Sequence, residues 1–161
     1  MQFLFLRGAL LAVAGLSACA APLRKFEYLR PKNREAANLY VYRPTTPPWM
    51  LRTFEVDISR FRQSFKDPEG PELIKSVSME VNQYVYARLQ PGFYELRIKG
   101  REETRKILLV EKGSETFIEV LIYSTGVFAF PRFYLPERTR EEALPRLLEL
   151  RAMDRNPASE D

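Results

Sequence analysis

The chain has 161 residues, of which 25 are Lys or Arg and 21 are Asp or Glu, giving a formal net charge of +4. That length suits one domain with a proper core, and so mild a charge gives no argument for nucleic-acid binding. With no histidine and a single cysteine, the usual zinc, copper and haem ligands are missing, and no acid-and-Gly calcium loop is present, so neither metal nor free cofactor is expected.

Residues 1–22, MQFLFLRGALLAVAGLSACAAP, have the three parts of a secretory signal. A short n-region ends at Arg7, and Gly8–Leu16 form an apolar h-region without charge. That stretch falls well short of the ~20 residues that span a bilayer. Leu16-Ser17-Ala18-Cys19 resembles the lipobox of bacterial lipoproteins, in which a branched apolar residue and two small ones precede the cysteine. The chemistry needs a thiol there, because diacylglycerol is transferred to sulfur before cleavage frees the amine for an N-acyl chain. A lone cysteine in an exported chain otherwise reads as a reactive liability. The expectation is cleavage before Cys19 and covalent lipid upon it. The alternative is ordinary signal-peptidase cleavage after Ala20, giving a soluble periplasmic product.

Losing Arg7 with residues 1–18 lowers the 25 basic residues to 24 against 21 acidic ones. Similarity to Gram-negative lipoproteins implies that Ala20, rather than Asp, after the cysteine sorts the protein to the outer membrane, facing the periplasm. Inner-membrane retention is the alternative. Residues 19–37 are expected to be a tether. From Arg24 to Arg34, the five basic residues Arg24, Lys25, Arg30, Lys32 and Arg34 stand against Glu27. They are either an electrostatic pad on anionic headgroups or incidental charge on a solvated linker.

From Leu39 the apolar period is two. Leu39–Arg43 alternates and stops at Pro44; Phe54–Ile58 alternates again. Residues 59–75 follow as a polar loop. Gln83–Leu89 leads into Gln90-Pro91-Gly92-Phe93, a type II turn signature. Tyr94, Leu96 and Ile98 then share a face opposite Glu95, Arg97 and Lys99. Gly100 leads to a strand over 104–110, and Lys112-Gly113 to one over 115–123, with Thr116, Ile118, Val120 and Ile122 on one face. Residues 127–135 form a strand interrupted at Pro131, placed at an edge. Thr139 and Glu142 form a capping box for one helix. Its apolar stripe is Leu144, Leu147, Leu148 and Arg151, and Pro145 forces a kink or a late start. Residues 154–161 are expected to be disordered. The pattern predicts an all-β fold: an antiparallel β-sandwich of about seven strands with one short C-terminal helix, spanning 38–153.

Three features resemble a family of small Gram-negative lipoproteins, domain of unknown function 2846. They are Tyr40-Val41-Tyr42-Arg43-Pro44, Val56-Asp57, and Gln90-Pro91-Gly92-Phe93-Tyr94-Glu95-Leu96. The Gly113 turn before a β-branched strand fits too, and the similarity spans residues 38–123. The resemblance implies a tethered β-sandwich and supplies no activity. It departs at Ile58-Ser59-Arg60, where such proteins carry Gly for a tight hairpin; this puts the second hairpin in doubt and suggests a partner-facing loop instead.

Trp49, on the Pro-rich loop 45–51, is either a binding anchor or a plug over the sandwich end. Tyr40, Tyr42, Tyr84 and Tyr86, with Arg43 and Arg88, form either an aromatic-basic surface for glycan or peptide, or a second layer beneath the helix. Glu102-Glu103, Glu141-Glu142 and Asp67/Glu69/Glu72 are the acidic clusters, without the separation across a cleft that glycoside hydrolysis needs. No G-x-S-x-G or S-x-x-K occurs. The expected function is a non-enzymatic, membrane-tethered envelope lipoprotein that binds a protein partner; the alternative is a carbohydrate- or peptidoglycan-binding module.

Overall fold

The computed structural model describes residues 25–32, 34–44, 53–62, 65–66, 68–124 and 131–152. Among them, eleven strands and one helix form. The strands are β1 (Ala37–Arg43), β2 (Phe54–Arg60), β3 (Glu72–Met79), β4 (Gln83–Leu89), β5 (Gly92–Ile98), β6 (Arg101–Val110), β7 (Glu115–Glu119), β8 (Leu121–Tyr123), β9 (Arg132–Tyr134), β10 (Glu137–Arg138) and β11 (Arg151–Ala152). The helix, α1, covers Arg140–Leu147. A five-stranded sheet in the order β10-β7-β1-β4-β11 faces a four-stranded sheet in the order β3-β2-β5-β6, and β8 and β9 form a separate ribbon. The fold is all-β and sandwich-like with one short C-terminal helix, as the alternation predicts. It is not wholly antiparallel: β1 runs parallel to β7, and β11 parallel to β4.

Between the sheets lies a core of Leu39, Val41, Val56, Ile58, Val85, Leu96, Ile98, Leu108, Val110 and Ile118, all buried. Each large apolar side chain removed from water there contributes about 1.5–3 kcal/mol. In β1 every residue is buried. Ala37, Leu39 and Val41 join this core, while Tyr40 and Tyr42 enter a second cluster on the far side of the same sheet. Among the described residues, the first sheet is therefore covered on both faces, and the second on one.

Several expectations change in detail. Residues 59–75 are not one long loop. β2 continues to Arg60 and pairs antiparallel with β3, from Phe54↔Met79 to Arg60↔Glu72, with a bulge between Ile58 and Ser59. The second hairpin forms without the tight glycine turn. The Pro91-Gly92 turn closes no hairpin, because β4 belongs to the five-stranded sheet and β5 to the four-stranded one. Gly92 has φ of +151°, far from the roughly +80° of a type II turn, and the segment carries the chain across the sandwich. The strand expected over 115–123 breaks at Val120, whose N–H donates to the Tyr42 carbonyl at 2.8 Å while Leu121–Tyr123 leaves to pair with β9.

The capping box at α1 forms as expected: the Glu142 N–H donates to Thr139 Oγ1 at 3.3 Å, and the Thr139 N–H to the Glu142 carboxylate at 3.0 Å. The buried stripe is Ala143, Leu147 and Leu150 rather than Leu144, Leu147 and Leu148, and Leu148 is 59% exposed. Pro145 lies within the helix, two residues from its end. The carbonyl it leaves without an N–H partner belongs to Glu141 in the exposed first turn, where water can replace the lost bond.

Candidate binding surfaces

The aromatic residues of the five-stranded sheet are an internal layer, not a ligand surface. Tyr40, Tyr42 and Tyr84 form one buried cluster with Phe26, Phe117, Ala143, Leu147 and Leu150, and Tyr86 packs against it half-buried. Tyr40 stacks on Phe117 with ring centroids 5.2 Å apart and planes 11° from parallel. Burial pushes both the Tyr40 and Tyr42 hydroxyls up to about 12, the Arg30 N–H moderating the first and the Glu119 carboxylate adding to the second. Arg43 is fully buried, its guanidinium 4.7 Å from the Phe54 ring centre and donating to the Met79 carbonyl at 3.3 Å. Desolvation pulls it down to about 10 against the opposing Glu80 carboxylate, so it stays a cation at neutral pH. Of the six residues expected on this surface, Arg88 alone is exposed. A helix needs an apolar floor, and the tyrosines provide it.

The chain from Lys25 to Pro31 adds a second lid to the same layer. Phe26 is 5% exposed and meets Tyr84 edge-on at 5.4 Å. The Arg30 N–H donates to the Tyr40 hydroxyl at 2.8 Å, and the Asn38 side-chain amide donates to the Arg30 carbonyl at 3.1 Å. Asn38 in turn accepts from the Tyr86 hydroxyl at 2.9 Å. The expected tether is thus shorter than 19–37, since its second half belongs to the folded domain. No signal in the sequence marks Phe26 for burial, because its partners lie over ten residues away.

The acidic pairs have structural employment. Glu142 completes the helix cap. Glu102 pairs with Arg97 at 3.5 Å. Arg62 donates to Glu72 at 3.0 Å and holds its carboxyl below the ordinary range. Glu119, itself buried, accepts from Arg138 Nε at 2.6 Å and fastens β10 to β7.

Among the described residues, the uncovered face is the outer side of the four-stranded sheet, and it divides in two. At one end, the Asp57 and Glu55 carboxylates face Arg97 at 3.7 Å and Lys99, and the Ser76 hydroxyl donates to Asp57 at 2.6 Å. At the other end the exposed side chains are mostly apolar, with Ser59 and Glu95 buried between Leu73 and Ile107. Phe93 is paired with Leu109 across β5–β6, and the Phe61 N–H donates to the Phe93 carbonyl at 3.0 Å, which brings Phe61 to the same row. Phe65 caps this row, its ring 4.8 Å from both Phe61 and Phe93. Phe65, Leu73, Phe93, Ile107 and Leu109 are 54, 56, 41, 49 and 55% exposed. The sequence holds a signal for this patch: Ile107-Leu108-Leu109-Val110 is apolar on both faces of a strand, which demands cover on both.

A groove of about 560 Å³ also runs between β6 and β9, lined by Arg105, Lys106, Arg132, Phe133, Tyr134 and Leu135 among others. Lys106 reaches Glu137 at 3.7 Å beside it. Leu16, Ser17, Ala18, Cys19 and Trp49 lie outside the described residues, as does the 154–161 tail. No protein-family model, curated protein or solved structure matches the chain.

Proposed function

We propose that the protein is a membrane-tethered, non-enzymatic envelope lipoprotein that binds a partner protein through the outer face of its four-stranded sheet. The observation that carries this reading is the exposed cluster of Phe65, Phe93, Leu109 and Ile107, with Leu73 beyond Ser59 and Glu95, on a face with no covering element among the described residues. Contiguous apolar patches beyond a few hundred square ångströms mark interaction sites on soluble surfaces. Aromatic anchors beside a polar rim are the arrangement from which binding hot spots are built. The charged end of the face supplies such a rim. The anchor rests on the Leu16–Cys19 motif, and the motif order shared with the domain of unknown function 2846 family agrees with a tethered sandwich. The carbohydrate alternative loses its tyrosines to the interior and retains only Trp49.

Two measurements test the reading separately. Wild-type protein incorporates labelled palmitate and sediments with membranes through a high-salt wash, because salt screens basic residues but not buried acyl chains. Cys19→Ser takes no label; unlabelled, salt-extractable wild type refutes the anchor. For the partner, lipidated protein is used as bait in solubilised envelopes beside Phe65→Asp and Phe93→Asp. A specific protein recovered with wild type and lost with both variants is expected. Equal recovery, or none, refutes the surface.

A further inference from the structure

We propose that the β8–β9 ribbon carries a second binding site, for an extended acidic peptide that lays a carboxylate in the groove beside β6 and an apolar side chain in the hollow beside β10. The site is built around Tyr134 rather than around Phe65 and Phe93, so it stands independently of the reading above.

Two hollows flank β9. The groove of about 560 Å³ lies on its β6 side. A second, of about 660 Å³, lies on its β8 and β10 side and is lined by Leu121, Tyr123, Tyr134, Leu135, Pro136 and Arg138. Both volumes fall in the range of roughly 300–1,000 Å³ that small ligands occupy. Tyr134 lines both hollows and is 47% exposed, so its ring is the ridge between them. Tyr123 meets that ring edge-on at 5.6 Å and holds it in place. A rigid, amphipathic tyrosine of this kind offers contact area at little entropic cost.

The hollows differ in chemistry. Arg105, Lys106 and Arg132 line the first against Glu103 alone. Arg101 borders it, its guanidinium 5.8 Å from the Phe133 ring centre. Lys106 is engaged by Glu137 at 3.7 Å, whereas Arg105 reaches Glu95 only at 3.9 Å. Arg132 is exposed and pairs with no described carboxylate. Two guanidinium groups are thus available, and each can hold a carboxylate through two parallel N–H···O bonds. Leu121, Pro136 and the two tyrosine rings wall the second hollow, and its one cation, Arg138, is held by Glu119 at 2.6 Å.

This pairing of a cationic hollow with an apolar one selects the ligand class. A sugar acid sets hydroxyl groups against apolar walls whose single donor is already engaged. An acyl chain finds a hollow open to water on one side, where much of its length stays wet. An extended peptide suits both hollows: residues i and i+2 project to the same side about 6.7 Å apart. One side chain then enters each hollow, and the peptide unit between them crosses the Tyr134 ring. Side-chain pockets read in alternation are the usual source of specificity for extended peptides.

The test is fluorescence anisotropy of fluorescein-labelled peptide GSLSESLSG on the full chain purified in detergent. A leucine on each side of the glutamate lets either chain direction dock. Saturable binding is expected, weaker by about tenfold when lysine replaces the glutamate or serine replaces both leucines. Arg132→Glu should shrink the preference for the glutamate over the lysine peptide about tenfold. Misfolding weakens both peptides alike and cannot mimic that shift. Tyr134→Ala should weaken the parent peptide, while Arg88→Glu, an exposed charge reversal on β4 in the other sheet, should change nothing. No saturable binding of the parent peptide, a preference unmoved by Arg132→Glu, or one moved equally by Arg88→Glu overturns the proposal. Loading of fluorescent phosphatidylglycerol from mixed micelles, lost with Arg132→Glu and without peptide binding, overturns it in favour of a lipid.

Discussion

Phe26→Ala asks whether the stretch before β1 belongs to the fold. The ring is 5% exposed and lies edge-on to Tyr84 at 5.4 Å and to Tyr40 at 6.2 Å. Its N–H donates to the Leu150 carbonyl at 3.3 Å, tying the first described residues to the chain just beyond α1. Truncating a buried Phe costs about 3–5 kcal/mol, transfer and cavity terms together. Edge-on aromatic contacts account for roughly 0.5–1.5 kcal/mol of interaction beyond area. Because this segment is peripheral and can peel away, the lower end applies, about 3 kcal/mol. For a domain of this size that lowers Tm by about 9 °C. The assay is urea unfolding of the chain from residue 19 onward with Cys19→Ser, which removes any lipid. Tyr28→Ala is the control, its ring 61% exposed two residues away, and it should fall within about 0.5 kcal/mol of the parent. If Phe26→Ala does no more than this control, residues 25–31 are a linker and the second lid on the tyrosine layer does not contribute.

Removing the helix cap with Thr139→Ala should cost about 1 kcal/mol, read from the urea midpoint at unchanged slope; no loss would refute the capping box as a stabilising device. Tyr40 and Tyr42 carry a pH dependence at the alkaline end. Their hydroxyls are pushed from 10.0 to about 12 in the folded state. Above pH 10 the unfolded chain therefore releases protons that the native one keeps, and stability falls as pH rises from 10 to 12. Each contributes at most about 2–3 kcal/mol of that loss. Tyr42→Phe should flatten the slope of stability against pH over this interval, and an unchanged slope would refute a buried Tyr42 hydroxyl.

Where local chemistry decides conformation, the sequence is legible. β1, β2 and β4 announce themselves by alternating Tyr and Val or by Phe-Glu-Val-Asp-Ile, and the Thr139–Glu142 cap is written in four residues. β3 is hidden because its sequence, ELIKSVSM, is half polar and its residues mostly exposed. An edge strand facing water on one side need not alternate. The Pro91-Gly92 turn is visible but its use is not, since a short turn reads alike whether it closes a hairpin or crosses a sandwich. Which face of β1 meets which layer is also undetermined by pattern. Leu39/Val41 and Tyr40/Tyr42 are both apolar enough to be buried, and both are. The tyrosines therefore read equally well as a surface until α1 and Phe26 are placed upon them. The exposed patch assembles residues from four separate stretches, Phe61–Phe65, Leu73, Phe93 and Ile107–Leu109, and no window along the chain contains them together.

The docked N-terminal segment constrains what an anchored form can reach. Six residues lie between Cys19 and Phe26, and the seven steps from Cα to Cα, fully extended, cover at most about 25 Å. A free tether ending at residue 37 would reach more than twice as far. With lipid on Cys19, the domain would therefore be held within about its own width of the bilayer, and a partner of the kind proposed would have to meet it at that height. Lengthening the segment between Ala20 and Lys25 with Gly-Ser repeats tests that limit: recovery of a partner seated farther from the bilayer should rise with each repeat, and recovery independent of the length added would refute it.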